Sequence, residues 1–407
     1  MKNKIVYIVI SLMLVLWTGC KEEGRIDHID YSAPAPAQVT EVDIRNTPGG
    51  AVLKYKLPKD DNLLYVRAEY EIKPGVILET RTSYYADSLI LEGFGDTRTY
   101  DVKLYSVGRN EKTSEPLRIK VNPLTPPVLL AVKKLEENFG GVSIRIENPE
   151  KANLAIILMG DVVQEDNFQQ TYMHTFYTSA EKGKFTYRGL DTVPGNFSVY
   201  LRDRWDNRSD TIGAALTPWP EEEISKKTWE EYHLPTDSWQ PLQGNMTYRL
   251  SKAWDGIVGP STNSFISAQE SPMPQWQTWD LGVTIVMSRL RLWHNSGGGG
   301  NYEYAYGNQK EFELWGSVDP DPDGSWDSWT PLGQFEVVKP SGQTPPTADD
   351  YAFARAGFDF DLEETEFARN PFVPVRYIRF KTNKVWYGDV TSWYIYLGEI
   401  SFWGMIL

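Results

Sequence analysis

The chain of 407 residues contains one cysteine, Cys20. A single cysteine cannot form an internal disulfide, so no disulfide framework supports this fold. The four histidines, His28, His174, His233 and His294, are far apart in the sequence. The HExxH, GxSxG and P-loop motifs are missing. The sequence therefore predicts a protein that is not an enzyme, although a carboxylate pair for glycoside hydrolysis needs no local motif.

Clusters of basic residues are missing as well. The chain has 41 Lys and Arg against 55 Asp and Glu, a formal net charge of −14. Nucleic-acid binding relies on clustered positive charge that neutralises phosphates, so we expect no nucleic-acid partner. The negative charge also argues against adsorption on anionic membrane surfaces. It is compatible with a neutral partner.

Long stretches rich in Ala, Leu, Glu and Lys at helical spacing are absent too. Instead, 13% aromatic residues, 32 glycines and 26 prolines are spread along the chain. This mixture suits many short strands joined by turns. Short runs alternate in polarity: "AVLKYKLP" puts Leu53 and Tyr55 on one face and Lys54 and Lys56 on the other. The prediction is an all-β fold built from sandwiches.

The N-terminus has an apolar run that is too short to span a membrane. "MKNK" precedes "IVYIVISLMLVLW", which has 13 residues, whereas a spanning helix needs about 20. We interpret residues 1–19 as a signal peptide. The following "TGC" resembles a bacterial lipobox, with Cys20 lipidated, and "KEEG" resembles the surface-export signal of Bacteroidota lipoproteins. The alternative is an ordinary signal peptide with an incidental cysteine.

Residues 20–37 are predicted to form a tether, because the alternating Ala-Pro of "SAPAPAQ" favours extended chain. These features predict a protein anchored by lipid in the outer membrane and exposed at the cell surface.

The next part of the chain repeats itself. "NTPGGAVLKYKLPKDDNL" is similar to "NFGGVSIRIENPEKANL", so that Gly49-Gly50 recurs as Gly140-Gly141. A repeat of about 90 residues is typical of one β-sandwich per unit. Both units, predicted over 38–123 and 124–220, resemble fibronectin type III or immunoglobulin-like domains. Tyr100 fits the tyrosine-corner position of such sandwiches, whereas the second copy has Phe197 there.

Residues 225–407 differ in composition. Twelve of the 15 tryptophans lie here. Alternation predicts inward side chains in four strands: Leu290 and Leu292, Phe312 and Leu314, Ile378 and Phe380, and Ile400 and Phe402. This pattern indicates a further, larger β-sandwich.

The motifs of this region resemble the discoidin fold, also called coagulation factor five/eight type C. The blocks "AWDG", "WQTWDLG", "SRLRLWHN", "EFELWGSVD", "VRYIRF" and "LGEISFWG" occur in that family's order. The whole arrangement resembles surface lipoproteins of Bacteroidota polysaccharide-utilisation systems. The resemblance implies glycan binding, and it implies outer-membrane transport proteins as partners.

The discoidin-like modules that bind sugars hold them in loops at one end of the sandwich. In this chain "HNSGGGGNYEYAYGN" and "KVWYGDVTSWYIY" are the aromatic loops. Glycine lets a backbone turn tightly and approach a ligand, and tyrosine offers a flat apolar ring with a hydroxyl. We therefore predict that one set of residues binds carbohydrate: His294, Asn295, Tyr302, Tyr304, Tyr306, Trp386 and Tyr387. The alternative is that these aromatic residues belong to the core.

The resemblance also implies a structural Ca²⁺, with Asp255 of "AWDG" and Glu399 of the last strand as ligands. Calcium prefers several oxygen ligands, which two carboxylates and loop carbonyls supply. The alternative is an Asp-Gly turn and an edge-strand glutamate.

Two alternative functions remain open from the sequence. The aromatic loops would also suit a protein-binding adhesin or a structural partner of an outer-membrane transport complex. A large flat apolar patch would favour a protein partner, and a concave pocket with polar groups would favour sugar.

Overall fold

The structure is a computed structural model that describes residues 29–162, 169–259, 263–268, 271–362 and 372–407. Its regular secondary structure is predominantly β-strand, so the predicted all-β fold is confirmed. Cys20 and the predicted signal peptide lie outside the described residues. Within those residues, no helix is long and apolar enough to cross a membrane.

The first sandwich consists of seven strands in two sheets. The strands are β1 (Thr40–Thr47), β2 (Gly50–Lys56), β3 (Leu63–Lys73), β4 (Val76–Ser83), β5 (Ser88–Glu92), β6 (Tyr100–Gly108) and β7 (Leu117–Val121). One sheet has the order β1-β2-β5 and the other β4-β3-β6-β7. Leu53, Val66, Leu91 and Val102 are fully buried between the sheets. Alternation places the apolar side chains on the inner face of each strand.

The second sandwich repeats this plan. A short helix α1 (Pro127–Leu130) precedes its strands: β8 (Val132–Asn138), β9 (Gly141–Glu147), β10 (Leu154–Val162), β11 (Gln169–Thr178), β12 (Lys182–Arg188), β13 (Gly195–Arg202) and β14 (Ile212–Leu216). The sheet orders are β12-β9-β8 and β11-β10-β13-β14.

The repeat seen in the sequence corresponds to the same hairpin in both sandwiches. Thr47 pairs with Gly50 in the first, and Asn138 pairs with Gly141 in the second. The turn residues before the second strand, Gly49 and Gly140, have φ of 64° and 65°. Only glycine adopts this left-handed conformation without strain, so the repeated Gly-Gly is a requirement of the hairpin.

The C-terminal region contains the largest sheet. Its strands are β15 (Glu222–Glu223), β16 (Glu230–Glu231), β17 (Phe265–Ile266), β18 (Gln275–Trp293), β19 (Gln309–Ser317), β20 (Thr330–Glu336), β21 (Phe358–Asp361), β22 (Pro374–Val385), β23 (Tyr396–Leu397) and β24 (Glu399–Ile406). The main path is β15-β24-β18-β22-β19-β20, with β16 and β21 also paired to β18, while β17 and β23 form a separate pair.

Strand β18 organises this region. Its first part, from Gln275 to Asp280, pairs with β22, and after a register shift its last part pairs with β24 and β21. One long strand therefore joins the part of the sheet that contains β22 to the part that contains β24 and β21.

Stacked aromatic rings fill that core. Phe312 and Phe380 lie 4.8 Å apart, and Trp279 and Phe402 lie 6.1 Å apart, both nearly parallel. The predicted inward residues of β18, β19, β22 and β24 are all fully buried, which confirms the alternation.

Helical segments are few and short in the described residues. Besides α1, they are α2 (Ala348–Ala356) and the 3-10 helices Lys226–Thr228, Leu242–Gly244, Met246–Tyr248 and Leu250–Trp254. Thr347 caps the N-terminus of α2, and its side-chain oxygen accepts a hydrogen bond from Asp350 N at 3.2 Å. Such a cap satisfies a backbone N–H that has no partner within the helix.

Residues 29–131, 149–154 and 202–209 form one compact unit, and the remaining described residues form the other. The first unit is thus the first sandwich together with two turns of the second.

Candidate functional site

Two loops of the C-terminal region lie side by side. One covers residues 294–308, between β18 and β19, and the other covers residues 386–395, between β22 and β23. The backbone N–H of Tyr387 donates to the carbonyl of Tyr306 at 2.9 Å. Because the backbones are bonded to each other, the loops form one continuous surface.

This surface carries partly exposed aromatic residues. We define the aromatic face by its six members, which are Tyr302, Tyr306, Tyr387, Trp393, Tyr394 and Tyr396. Four of them form a stack: ring centroids lie 3.9 Å apart for Tyr387 and Trp393, then 4.7 Å to Tyr394 and 5.3 Å to Tyr396. Tyr387 ends the stack and is 52% exposed, so its outer face is open to a ligand.

The other end of the aromatic face combines Tyr302 and Tyr306 of the first loop with Tyr394 and Tyr396. Tyr302 and Tyr306 lie 4.6 Å apart, and Tyr306 is 40% exposed. Burial raises the pKa of Tyr396, and its hydrogen bond with Tyr394 and the nearby hydroxyls of Tyr302 and Tyr306 raise it further. Four hydroxyls therefore cluster there, and Tyr396 stays protonated as a hydrogen-bond donor.

The glycine run shapes the first loop. Gly297 has φ of 64°, and a Cβ added there would lie 2.5 Å from the ring of Tyr302. Glycine at this position allows both the left-handed turn and the close approach of the ring. The neighbouring Gly298 has φ of 70° but nothing within 4 Å of an added Cβ. The glycines thus place the tyrosine against the backbone.

Three of the predicted binding residues do not reach the surface. His294, Asn295 and Tyr304 are only 2%, 1% and 6% exposed. The ring of His294 donates from Nε2 to the carbonyl of Gln309 at 2.9 Å, and burial lowers its pKa to about 3. The prediction that these side chains contact a ligand therefore needs correction, because all three are buried.

Their actual contacts hold the first loop in place. Asn295 Oδ1 accepts from Gly297 N at 2.7 Å, and the Tyr304 hydroxyl donates to the carbonyl of Asp350 at 3.1 Å. Asn308, which the sequence analysis missed, donates from Nδ2 to the carbonyl of Tyr302 at 2.8 Å. The segment "YEYAY" is not a strand despite its alternation. It forms consecutive turns, because the backbone has positive φ at both Tyr304 and Tyr306.

Trp386 precedes Tyr387 in the second loop and is half-buried. Its ring meets that of Tyr304 edge-on at 5.3 Å. The ammonium groups of Lys310 and Lys339 lie 5.6 Å and 5.4 Å from the ring centroid. These contacts make Trp386 a support for the loop, while Tyr387 occupies the exposed position.

Three members of the aromatic face were not among the predicted residues. Trp393, Tyr394 and Tyr396 lie in the quoted stretch "KVWYGDVTSWYIY", so the signal was present in the sequence. Stacking of residues that are adjacent in the sequence, as in Trp393 and Tyr394, requires an irregular backbone. Alternation alone does not predict it.

The structure brings Asp255 and Glu399 together, as a shared site requires. Gly256 N donates to Glu399 Oε1 at 3.2 Å. However, the Lys226 ammonium pairs with Glu399, and the Lys252 ammonium lies 3.0 Å from Asp255 Oδ2.

These contacts do not fit a calcium ion. Within the described residues, no group of three or more acidic, histidine or cysteine side chains could hold a metal. A calcium ion at Asp255 and Glu399 would have to displace both ammonium groups, so the residues as arranged here do not offer it a site.

Family models match most of the chain. Residues 36–123 match a domain of unknown function, DUF4959, residues 124–227 match another, DUF5126, and residues 254–404 match a third, DUF5000. No curated protein matches the chain.

The chain is similar to several solved structures. The SusE-like protein BT2857 is 31% identical, with a similarity that covers 69% of this chain and 100% of that one at a TM-score of 0.44. This identity extends over the full length of the relative. The chain therefore belongs to the family of SusE-like proteins.

Two further similarities are weaker. A fragment from Bacteroides thetaiotaomicron, described as a chitobiase, is 19% identical over 45% of this chain and 93% of its own, with a TM-score of 0.31. A segment of two fibronectin type III domains from chicken tenascin is 15% identical over 44% of this chain and 99% of its own, with a TM-score of 0.21. Neither similarity bears on function.

Proposed function

We propose that the protein binds a neutral glycan at the aromatic face. The observation that carries this proposal is the stack that ends in Tyr387, a half-exposed ring held 3.9 Å from Trp393 and next to exposed Tyr306. The C–H surface of a sugar packs against such a ring, and its hydroxyls exchange hydrogen bonds with tyrosine hydroxyls.

The ligand is a neutral chain of sugars. The net charge of −14 disfavours an acidic polysaccharide. The aromatic face extends from Tyr387 through the stack to Tyr302 and Tyr306, which is longer than a single sugar ring. An extended chain would therefore contact more of this surface than a single sugar.

The cellular setting is part of the same proposal. Cys20 carries the lipid anchor, the protein faces outward from the outer membrane, and in the sequence the fibronectin-like sandwiches come between the anchor and the discoidin-like domain. There it captures polysaccharide beside outer-membrane transport proteins. Membership in the SusE-like family and the resemblance to polysaccharide-utilisation lipoproteins support this setting. Many copies on one membrane would raise capture through multivalency.

The test is affinity electrophoresis of the purified protein in gels that contain neutral or acidic polysaccharides. We expect retardation by at least one neutral polysaccharide. Tyr387→Ala should weaken binding about fivefold, because one stacking contact contributes on the order of 1 kcal/mol. Tyr177→Ala is the matched control, since Tyr177 is 75% exposed on β11, away from the aromatic face.

Other outcomes would change the conclusion. Equal weakening by Tyr387→Ala and Tyr177→Ala would remove the aromatic face as the site. No retardation by any polysaccharide, together with crosslinks from the two loops to another surface protein, would favour the adhesin or transport-partner alternative. Cleavage of a polysaccharide would show that the protein is a hydrolase.

A further inference from the structure

A pocket of about 370 Å³ lies in the first compact unit. Its walls come from residues 47–50, 90–94, 126–128, 150–154 and 203–205. All of these segments belong to the same unit, and none belongs to the aromatic face. The pocket is therefore independent of the surface to which glycan binding is assigned above.

The pocket has an apolar wall and a charged rim. Ile90 on this wall is 58% exposed, and Pro127 is partly exposed. On the rim, the side chains of Glu92 and Arg204 are 54% and 64% exposed. Apolar surface combined with polar groups at fixed positions is the usual composition of a small-molecule site.

The position of the rim residue Arg204 is fixed by stacking of its guanidinium on a neighbouring ring. The Arg204 guanidinium lies 4.2 Å above the ring centroid of Trp205. On the opposite side, a Cβ on Gly93 would lie 3.0 Å from the Trp205 indole, so the ring packs directly on the backbone there. Lys73 Nζ donates to the carbonyls of Trp205 and Asp206 at 2.8 Å and 2.7 Å. The turn that carries Arg204 is therefore anchored to the first sandwich.

The charges of the lining define the chemistry of the ligand: three acidic residues, Glu92, Glu150 and Asp203, stand against two basic residues, Lys151 and Arg204, so the charges nearly cancel. Arg204 Nη2 donates to Glu92 Oε2 at 2.6 Å, so the two groups neutralise each other. An anion or a zwitterion would have to break this ion pair. A guanidinium has five N–H donors and a carboxylate has two acceptor oxygens, so the pair retains groups for further hydrogen bonds. Adjacent hydroxyls, which both donate and accept, match this set.

The size of the pocket limits the length of the ligand. Pockets for small molecules measure about 300–1,000 Å³, and this one is near the lower limit. We propose that it binds a neutral sugar of one or two rings, with Arg204 and Glu92 hydrogen-bonded to vicinal hydroxyls and the exposed Ile90 side chain against the ring. This sugar is either a free mono- or disaccharide or the end of a longer chain.

The experiment is saturation-transfer NMR and calorimetry on the purified protein with a panel of neutral hexoses, pentoses and their disaccharides. Uronic acids and amino acids serve as charged and zwitterionic comparisons. Arg204→Met keeps an unbranched apolar stem but removes the donors, and Asn153→Trp places a large ring at the wall of the pocket. Arg208→Met is the matched control, because Arg208 is exposed in the same turn and does not line the pocket.

We expect at least one neutral sugar to bind, and both pocket variants to weaken it tenfold or more. Arg208→Met and the aromatic-face variant Tyr387→Ala should bind it as the parent protein does. If only disaccharides and long chains with the same terminal sugar bind, the ligand is a chain end; if monosaccharides bind equally, it is a free sugar.

The proposal is overturned if no neutral sugar binds, if only uronic or amino acids bind, or if Arg204→Met and Asn153→Trp leave binding unchanged while circular dichroism shows both folded. If only Tyr387→Ala loses sugar binding, the sugar binds at the aromatic face and not in the pocket. Absence of polysaccharide binding at the aromatic face would not change the conclusion about sugar binding in the pocket.

Discussion

Lys226 and Glu399 form an ion pair in which the glutamate side chain is only 1% exposed and the lysine side chain 21%. Glu399 also accepts from Gly256 N through both carboxylate oxygens, at 3.2 Å and 3.3 Å. Burial raises the pKa of Glu399 to about 7 against the opposing effect of Lys226. The pair joins the segment before β16 to the last strand.

Replacing Lys226 with methionine should therefore destabilise the protein in a pH-dependent way. Removing one partner of a buried pair costs about 3–5 kcal/mol, because the other charge stays uncompensated. The folded-state pKa of Glu399 lies above its usual 4.5, so its favourable contribution is present below pH 4.5 and is lost as the pH rises through about 7. Thermal melts should show a larger loss for Lys226→Met at pH 8 than at pH 5.

The exposed neighbour Lys227 provides the control for this measurement. Lys227→Met should change the melting temperature little at either pH. An equal loss for Lys226→Met at pH 5 and pH 8 would contradict the account of Glu399.

Calcium should have little effect on stability. Both carboxylates of the predicted metal site already have lysine partners, Lys226 for Glu399 and Lys252 for Asp255. We expect the melting temperature to be the same in EDTA and in millimolar Ca²⁺. A rise of several degrees with Ca²⁺ that Asp255→Ala abolishes would restore the calcium site.

Substitutions at two adjacent glycines distinguish the effect of backbone strain from the effect of displacing the Tyr302 side chain. Gly297→Ala and Gly298→Ala both place alanine in the left-handed region, at a cost of roughly 1 kcal/mol. Only Gly297→Ala also pushes a Cβ into the ring of Tyr302, at 2.5 Å. Gly297→Ala should weaken glycan binding beyond Gly298→Ala, at similar melting temperatures. Identical binding by the two variants would show that the position of Tyr302 is irrelevant.

The buried His294 should make the protein sensitive to acid. Its pKa is lowered by burial to about 3 from the usual 6.5, so its stabilising contribution is present above pH 6.5 and is lost as the pH falls towards 3. When the pH falls from 7.5 to 5, the free energy of unfolding of the parent protein should drop by about 2 kcal/mol more than that of His294→Gln. This difference follows from 1.36 kcal/mol for each unit by which the pH lies below the unfolded pKa.

Urea unfolding at the two pH values measures this difference. His174→Gln is the control, because His174 is exposed on β11. Equal pH dependence of the parent protein and His294→Gln would contradict burial of a neutral ring.

Much of the fold could be predicted because strand alternation is local. Leu290 and Leu292 alternate with Arg291 and Trp293, and the structure buries only the two leucines. The repeated Gly-Gly predicted two equivalent units, since a left-handed turn in a hairpin requires glycine in each. The charged segment after the second sandwich forms only one 3-10 turn at Lys226–Thr228, between two short strands.

The site was predicted less well. Tyr302, Tyr306 and Tyr387 were named from the sequence and lie on the aromatic face, whereas His294, Asn295 and Tyr304 are internal. Local sequence does not distinguish these two groups, because both lie in one run of polar and aromatic residues.

The sequence by itself determined which residues form strands, where turns need glycine, and that aromatic residues concentrate in the C-terminal region. These properties depend on the residue and its nearest neighbours. Only the tertiary structure decided which aromatic rings are exposed, that Lys226 pairs with Glu399, and that Arg204 meets Glu92 at the rim of a pocket. The last two contacts join residues 173 and 112 positions apart, and such distances in sequence are closed only by the packing of whole sheets.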